Sequence, residues 1–184
     1  MATARRSAAR DRLVEAAARI FYAEGVHAIG VDRVIEDADI SRATFYRHFR
    51  SKDELVRAYV EAEDQGVRAN VEKARARAED PRELLERLVS GLGDQICGAG
   101  FRGCPFINAA VEYPDPEHPV RQAVRVHRDW FAEVLADLAV AAGIPAELSG
   151  VLVFLRDGAM VGGYLEDPET VREQLKVAVR ALVR

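Results

Sequence analysis

Ile40-Ser41-Arg42-Ala43-Thr44-Phe45-Tyr46-Arg47-His48-Phe49-Arg50-Ser51-Lys52-Asp53-Glu54-Leu55 holds one short helix and the opening of a long one. Ser41 is the start signal, because a serine hydroxyl accepts from the otherwise unsatisfied amides of a first helical turn. The helix it opens runs to about Phe49. Phe45 and Phe49 stand four apart and share one apolar side that faces inward. The remaining positions, Ser41, Arg42, Ala43, Thr44, Tyr46, Arg47 and His48, are rich in hydrogen-bond donors. Ser51 and Glu54 then form a capping box, in which the Ser51 hydroxyl accepts from the Glu54 amide and the Glu54 carboxylate returns to the Ser51 amide. It announces a helix from Lys52 to about Ala78.

Upstream, Leu13, Ala17, Ile20 and Phe21 recur at i, i+4, i+7 and i+8, which paints one apolar stripe on a first helix ending near Gly25. A short helix fits Val31 to about Ala38, followed by a tight break at Asp39-Ile40. Asp tolerates the left-handed conformation such a break requires better than most residues do. Two short helices joined by a tight turn and set on a preceding helix form the helix-turn-helix arrangement, whose second short helix lies in the DNA major groove.

The run from Ile40 to Leu55, with Phe21 and Gly25 upstream, resembles the TetR family of bacterial regulators over roughly residues 10 to 58. The family hallmark is a short helix ending Thr-aromatic-Tyr-x-His/Phe-Phe, followed by Ser-Lys-acid-x-Leu. The resemblance implies base-edge contacts from Arg42, Ala43 and Thr44, and phosphate contacts from Tyr46, His48 and Lys52. Arg47 and Ser41 lie on the same helix, and Arg47 can serve either base or phosphate. An exposed Arg there can pair bidentately with guanine, worth roughly 1 to 3 kcal/mol of discrimination. Two positions depart from the family pattern. Gly30-Val31-Asp32 stands where hydroxyl residues are frequent, and since an acid repels phosphate, Arg33 or the helix amides must take that contact. Asp39 stands where the turn residue is usually Gly.

Downstream, Asp80-Pro81 and Asp167-Pro168 each place a capping acid before a proline at the first helical position, and Glu83 completes the box at the first of them. Gly98, Gly100 and Gly103 mark one loop, and Pro114, Pro116 and Pro119 another. Further helices fit Pro105 to Glu112, Pro119 to Ala142, Ala146 to Leu165 and Pro168 to Val183. The expected fold is all-α with about nine helices: a DNA-binding domain at 1–50 and a ligand-binding, dimerising domain at 51–184. The resemblance implies that the last two long helices build the dimer, and Gly158, Gly162, Leu175 and Val179 are its candidate interface residues. Gly in a helix costs about 1 kcal/mol against Ala, and close approach to a neighbour offsets it. Candidate ligand-pocket residues are Phe106, Asn108, Tyr113, His127, Trp130, Phe131 and Phe154, although aromatic residues at helical spacing also simply pack. Cys104 precedes Pro105 at a helix start, where thiols gain reactivity. Gly103-Cys104-Pro105-Phe106-Ile107-Asn108 also resembles a Gly-Cys segment of family members that sense electrophiles or oxidants. A buried inert thiol, or a bridge from Cys97 to Cys104, are the other readings.

The 184 residues are 49% hydrophobic and 30% charged, which is ordinary globular composition. No apolar run follows the basic N-terminus as a secretory signal needs, and two cysteines are too few for a disulfide scaffold or a four-ligand zinc site. A cytoplasmic protein without cofactor, metal or membrane partner is expected. Its net charge of -4 divides unevenly, with 11 basic and 9 acidic residues through 60 and 15 and 21 after it. A front end that faces double-stranded DNA and a back end with another task fit that asymmetry. The family resemblance implies that the back end takes a small-molecule effector. The expected partners are a palindromic operator, a second copy of the chain, and the effector, which relieves repression. Two rivals come from other classes: an enzyme using Cys104 with His118 or His127 as base, and a helical adaptor that binds only protein, in which the aromatic and charged stripes are core and solvated face.

Overall fold

The computed structural model describes residues 8–183, and the first seven residues of the basic N-terminus lie outside them. The described elements are α1 (Ala8–Glu24), α2 (Val31–Asp37), α3 (Arg42–His48), α4 (Lys52–Arg75), α5 (Pro81–Ile96), α6 (Pro105–Glu112), α7 (Pro119–Ala141), a 3-10 turn (Ala146–Leu148), α8 (Val151–Leu165) and α9 (Pro168–Leu182). The all-α expectation holds among the described residues. The start signals act as read: Asp80 accepts from the amides of Arg82 and Glu83 at 2.8 and 2.9 Å, and Asp167 from that of Thr170 at 2.9 Å. The capping boxes close one residue early. Glu54 reaches the amide of Arg50 rather than Ser51, and Glu83 that of Glu79 rather than Asp80.

One expected helix is divided. The stretch from Ala146 to Leu165 breaks at Ser149-Gly150, where the Ser149 hydroxyl donates to the Ala146 carbonyl at 2.8 Å and competes with the helical ladder. Gly150 then opens α8.

The chain forms two compact units that do not divide at residue 50. The first comprises residues through Gln65 together with Pro105–Val124, and the second Gly66–Cys104 with Arg125 onward. In the first unit the stripe of α1 meets α2 and α3 over a core of Leu13, Ala17, Phe21, Val34, Phe45, Leu55 and Val56. Each of the larger of these contributes roughly 1.5 to 3 kcal/mol on burial. The end of α6 is tied into this unit by polar bonds. The Glu112 carboxylate accepts from the amides of Val26 at 2.7 Å and His27 at 2.6 Å, and the Tyr113 hydroxyl donates to Asp53 Oδ1 at 2.9 Å. An element expected to serve the ligand domain therefore grips the loop after α1 and the first turn of α4.

In the second unit α9 packs on both α5 and α8. Gly163 lets α8 approach α5 closely, because a Cβ there would run into the Ile96 side chain. Gly162 lies against Val171 of α9, where an added Cβ would make a tight contact at 3.3 Å.

Candidate nucleic-acid interface

The turn between α2 and α3 centres on Asp39, whose φ of 50 puts a non-glycine residue in the left-handed region as its sequence position requires. Ser41 caps α3: its hydroxyl accepts from the Thr44 amide at 3.1 Å and lies 2.9 Å from the Thr44 hydroxyl. Phe45 is fully buried and Phe49 nearly so, with ring centroids 5.9 Å apart. These two rings set the roll of the helix. With Phe45 locked inward, Arg42, Ala43, Tyr46 and Arg47 all face solvent, and Tyr46 is 50% exposed. Arg33 and Ser41 are exposed as well, while Thr44, His48 and Lys52 are half-buried.

The side chains that sequence reasoning chose for DNA thus lie on α3, its cap and its two neighbouring helices, six of them exposed and three half-buried. Asp32 has a role the sequence did not disclose. It forms an ion pair with Arg42, bridging α2 and α3. The acid that would repel phosphate is paired with a neighbouring arginine instead.

A cavity of 510 Å3 lies within the second unit, between α4, α5, α7, α8 and α9, within the usual size range of small-molecule sites. Val71, Leu85, Leu88, Phe131, Leu152 and Arg156 are among the residues lining it. Of the seven candidate pocket residues only Phe131 is there. Phe106 is core of the first unit and Asn108 is exposed. Tyr113 is bound to Asp53, which with burial pushes its phenol up from the ordinary value; burial is the larger cause. His127 is buried against the rings of Trp130 and Phe131, and Trp130 lies under Arg68, its ring centroid 4.0 Å from the guanidinium carbon. Phe154 is 76% exposed on the outside of α8. The signal that would have found the cavity was aliphatic: Val67, Val71 and Ala74 on α4, and Leu85, Leu88 and Leu92 on α5, each recur at helical spacing.

The candidate interface residues divide likewise. Leu175 and Val179 are buried and line the cavity, and Gly162 faces α9, so these three turn inward within the chain. Gly158 meets open space. It falls on an exposed stripe of α8 with Phe154, Val161 and Leu165 at i, i+4, i+7 and i+11, the last 71% exposed.

Both cysteines are free. Cys104 is buried, and its sulfur accepts from Arg156 Nη1 at 3.1 Å. A guanidinium has no lone pair with which to take a proton, so this neighbour is no general base. Burial raises the Cys97 thiol above its usual range, and a bond with Glu169 adds to that.

The family model described as bacterial regulatory proteins, tetR family, matches residues 13–59. The chain is 44% identical to the crystal structure of SCO4454, a TetR-family transcriptional regulator from Streptomyces coelicolor, over 96% of this chain and 94% of that one, with a TM-score of 0.91. It is 32% identical over 129 residues to the HTH-type transcriptional activator FasR of Mycolicibacterium smegmatis, covering 69% of this chain and 58% of that protein's length. The HTH-type transcriptional regulator LmrA of Bacillus subtilis is 22% identical over 158 residues, 83% of this chain and 84% of that protein.

Proposed function

The chain belongs to the TetR family of transcriptional regulators, and from that premise we propose that it acts in the cytoplasm as a homodimeric repressor. It holds a palindromic operator and leaves it when a small molecule fills the 510 Å3 cavity. The observation that carries the DNA reading is the outward set of Arg42, Tyr46 and Arg47 on a helix locked by Phe45. Its length and donors suit a major groove. Two such helices in a dimer read half-sites one DNA turn apart, about 34 to 36 Å. The outer stripe of α8, with Phe154, Val161 and Leu165, supports self-association, since large exposed apolar patches mark interfaces.

Release needs a ligand with different affinities for two arrangements of the dimer, and it acts by no more than that difference. Glu112 and Tyr113 are the handle by which a shift of α6 reaches the DNA-binding helices, since both bond directly to the segments flanking them.

Selection of bound fragments from random duplex DNA by the full chain tests this reading. An enriched palindrome, lost with Arg42→Ala, is the expected result. No enrichment at moderate salt without ligand overturns it. A reporter under the recovered operator then separates repression from the activation named for FasR.

The Arg156 bond to Cys104 favours a second reading, that modification of the sulfur drives release. Alkylating the sulfur adds bulk at a buried contact and oxidising it adds oxygens there, so either change disturbs the packing of Cys104 against Arg156. This reading predicts that N-ethylmaleimide, which adds to a single thiol, releases operator from the native chain and not from Cys104→Ser.

A further inference from the structure

Resting on the reading of the cavity as the effector site, we infer that the effector is an acid: an apolar body carrying one anionic group, which Arg156 receives inside the second unit. The apolar part follows from the wall, where Val71, Leu85, Leu88, Phe131 and Leu152 leave room for a drug-sized hydrophobic molecule.

The anion follows from charge. The charged residues on the lining are Lys73, Arg77, Arg87, Arg156 and Asp94, four cations to one acid, although residues after 60 carry a net negative charge. Three of the five are already paired: Arg87 with Glu83 at 2.6 Å, Asp94 with Arg172 at 3.9 Å, and Arg156 with Asp157 at 3.0 Å. Lys73 and Arg77 have no acidic partner among the described residues.

Arg156 is the deepest of the cations, its side chain 13% exposed. Its neighbour Asp157 is shared, because Arg128 already grips that carboxylate with two bonds of 3.1 and 2.7 Å. Two guanidiniums against one carboxylate leave a positive charge in a largely buried place, which is unfavourable until an anion joins it. The geometry leaves room for one. Both bonds of Arg156, to Cys104 and Asp157, leave through Nη1, so Nη2 and Nε have no acceptor among the described residues. A guanidinium edge of this kind takes a carboxylate bidentately. Phe131 lies beneath the same guanidinium, 5.4 Å from its carbon, and lines the cavity where the apolar body would start.

The test titrates the full chain, without DNA, with dodecanoate and separately with 1-dodecanol. The readout is the emission of Trp130, the single tryptophan, whose ring lies beside that of Phe131. The expected result is at least tenfold tighter binding of the acid. Arg156→Gln should bring the acid to within threefold of the alcohol, and Arg156→Lys should keep part of the preference. Circular dichroism shows that each variant is folded, and Leu88→Phe, which narrows the cavity, should weaken both molecules. Equal binding of acid and alcohol to the native chain overturns the inference and leaves the receptor reading standing. So does an acid preference that survives Arg156→Gln. Failure of both molecules to bind overturns the inference and likewise leaves the receptor reading standing.

Discussion

Arg42 is held before DNA arrives. Its ion pair with Asp32 must break or share when the guanidinium turns to a base edge, and both side chains are exposed, so the pair is worth about 1 kcal/mol or less. Asp32→Asn is therefore expected to tighten operator binding a few-fold, by freeing Arg42 and by removing a negative charge from a phosphate-facing surface. Fluorescence anisotropy at two salt concentrations measures it, and weaker binding would show that Asp32 positions Arg42 rather than restraining it. Arg42→Ala should lose about 1 to 3 kcal/mol and relax the choice of base. Lys52→Ala should instead weaken all sequences alike and flatten the salt dependence.

Helices α5 and α8 meet through Gly163, where no side chain fits against Ile96. Gly163→Ala should destabilise the chain by about 1 to 3 kcal/mol despite Ala's better helix propensity, since overpacking outweighs propensity here. A urea midpoint that falls, and a cost of Gly163→Ala that shrinks in an Ile96→Ala background lacking the clashing carbon, are the expected pattern. The hold of α6 on the loop after α1 depends on a charge. Burial alone would raise the Glu112 carboxyl, but the amides of Val26 and His27 and the His27 ring bond to its ionised form and bring it below the usual range. A carboxyl lower in the folded than in the unfolded chain stabilises at pH values above its unfolded value of about 4.3, and that contribution fades as pH falls through the folded value. Glu112→Gln should accordingly cost about 1 to 3 kcal/mol at pH 7, with the gap to the native chain narrowing towards pH 4 in urea titrations. A gap independent of pH would mean that packing, not charge, holds the loop.

A regulator that reads a palindrome must be a pair, and the outer stripe of α8 is where the pair is expected to form. Leu165→Asp, at a position already 71% exposed, should leave the single chain folded. In sedimentation the variant should move as a monomer and its operator affinity should drop by at least tenfold, while the helical content stays. A variant that remains dimeric would place the interface elsewhere.

The DNA-binding helices were legible in the sequence because each depends on neighbours within a few residues: the Ser41 cap, the Asp39 turn, and the Phe45 and Phe49 spacing that rolls Arg42, Tyr46 and Arg47 outward. Local hydrogen bonds and helical periodicity are written in adjacent positions, so reading them requires no knowledge of the rest of the chain. The cavity, the inward turn of Leu175 and Val179, and the grip of Glu112 on a loop 85 residues away were settled only by the packed structure. Each depends on which faces of distant helices meet. An apolar stripe states that a face is covered, and only the tertiary arrangement decides whether its cover is another helix, a second copy of the chain or a bound molecule.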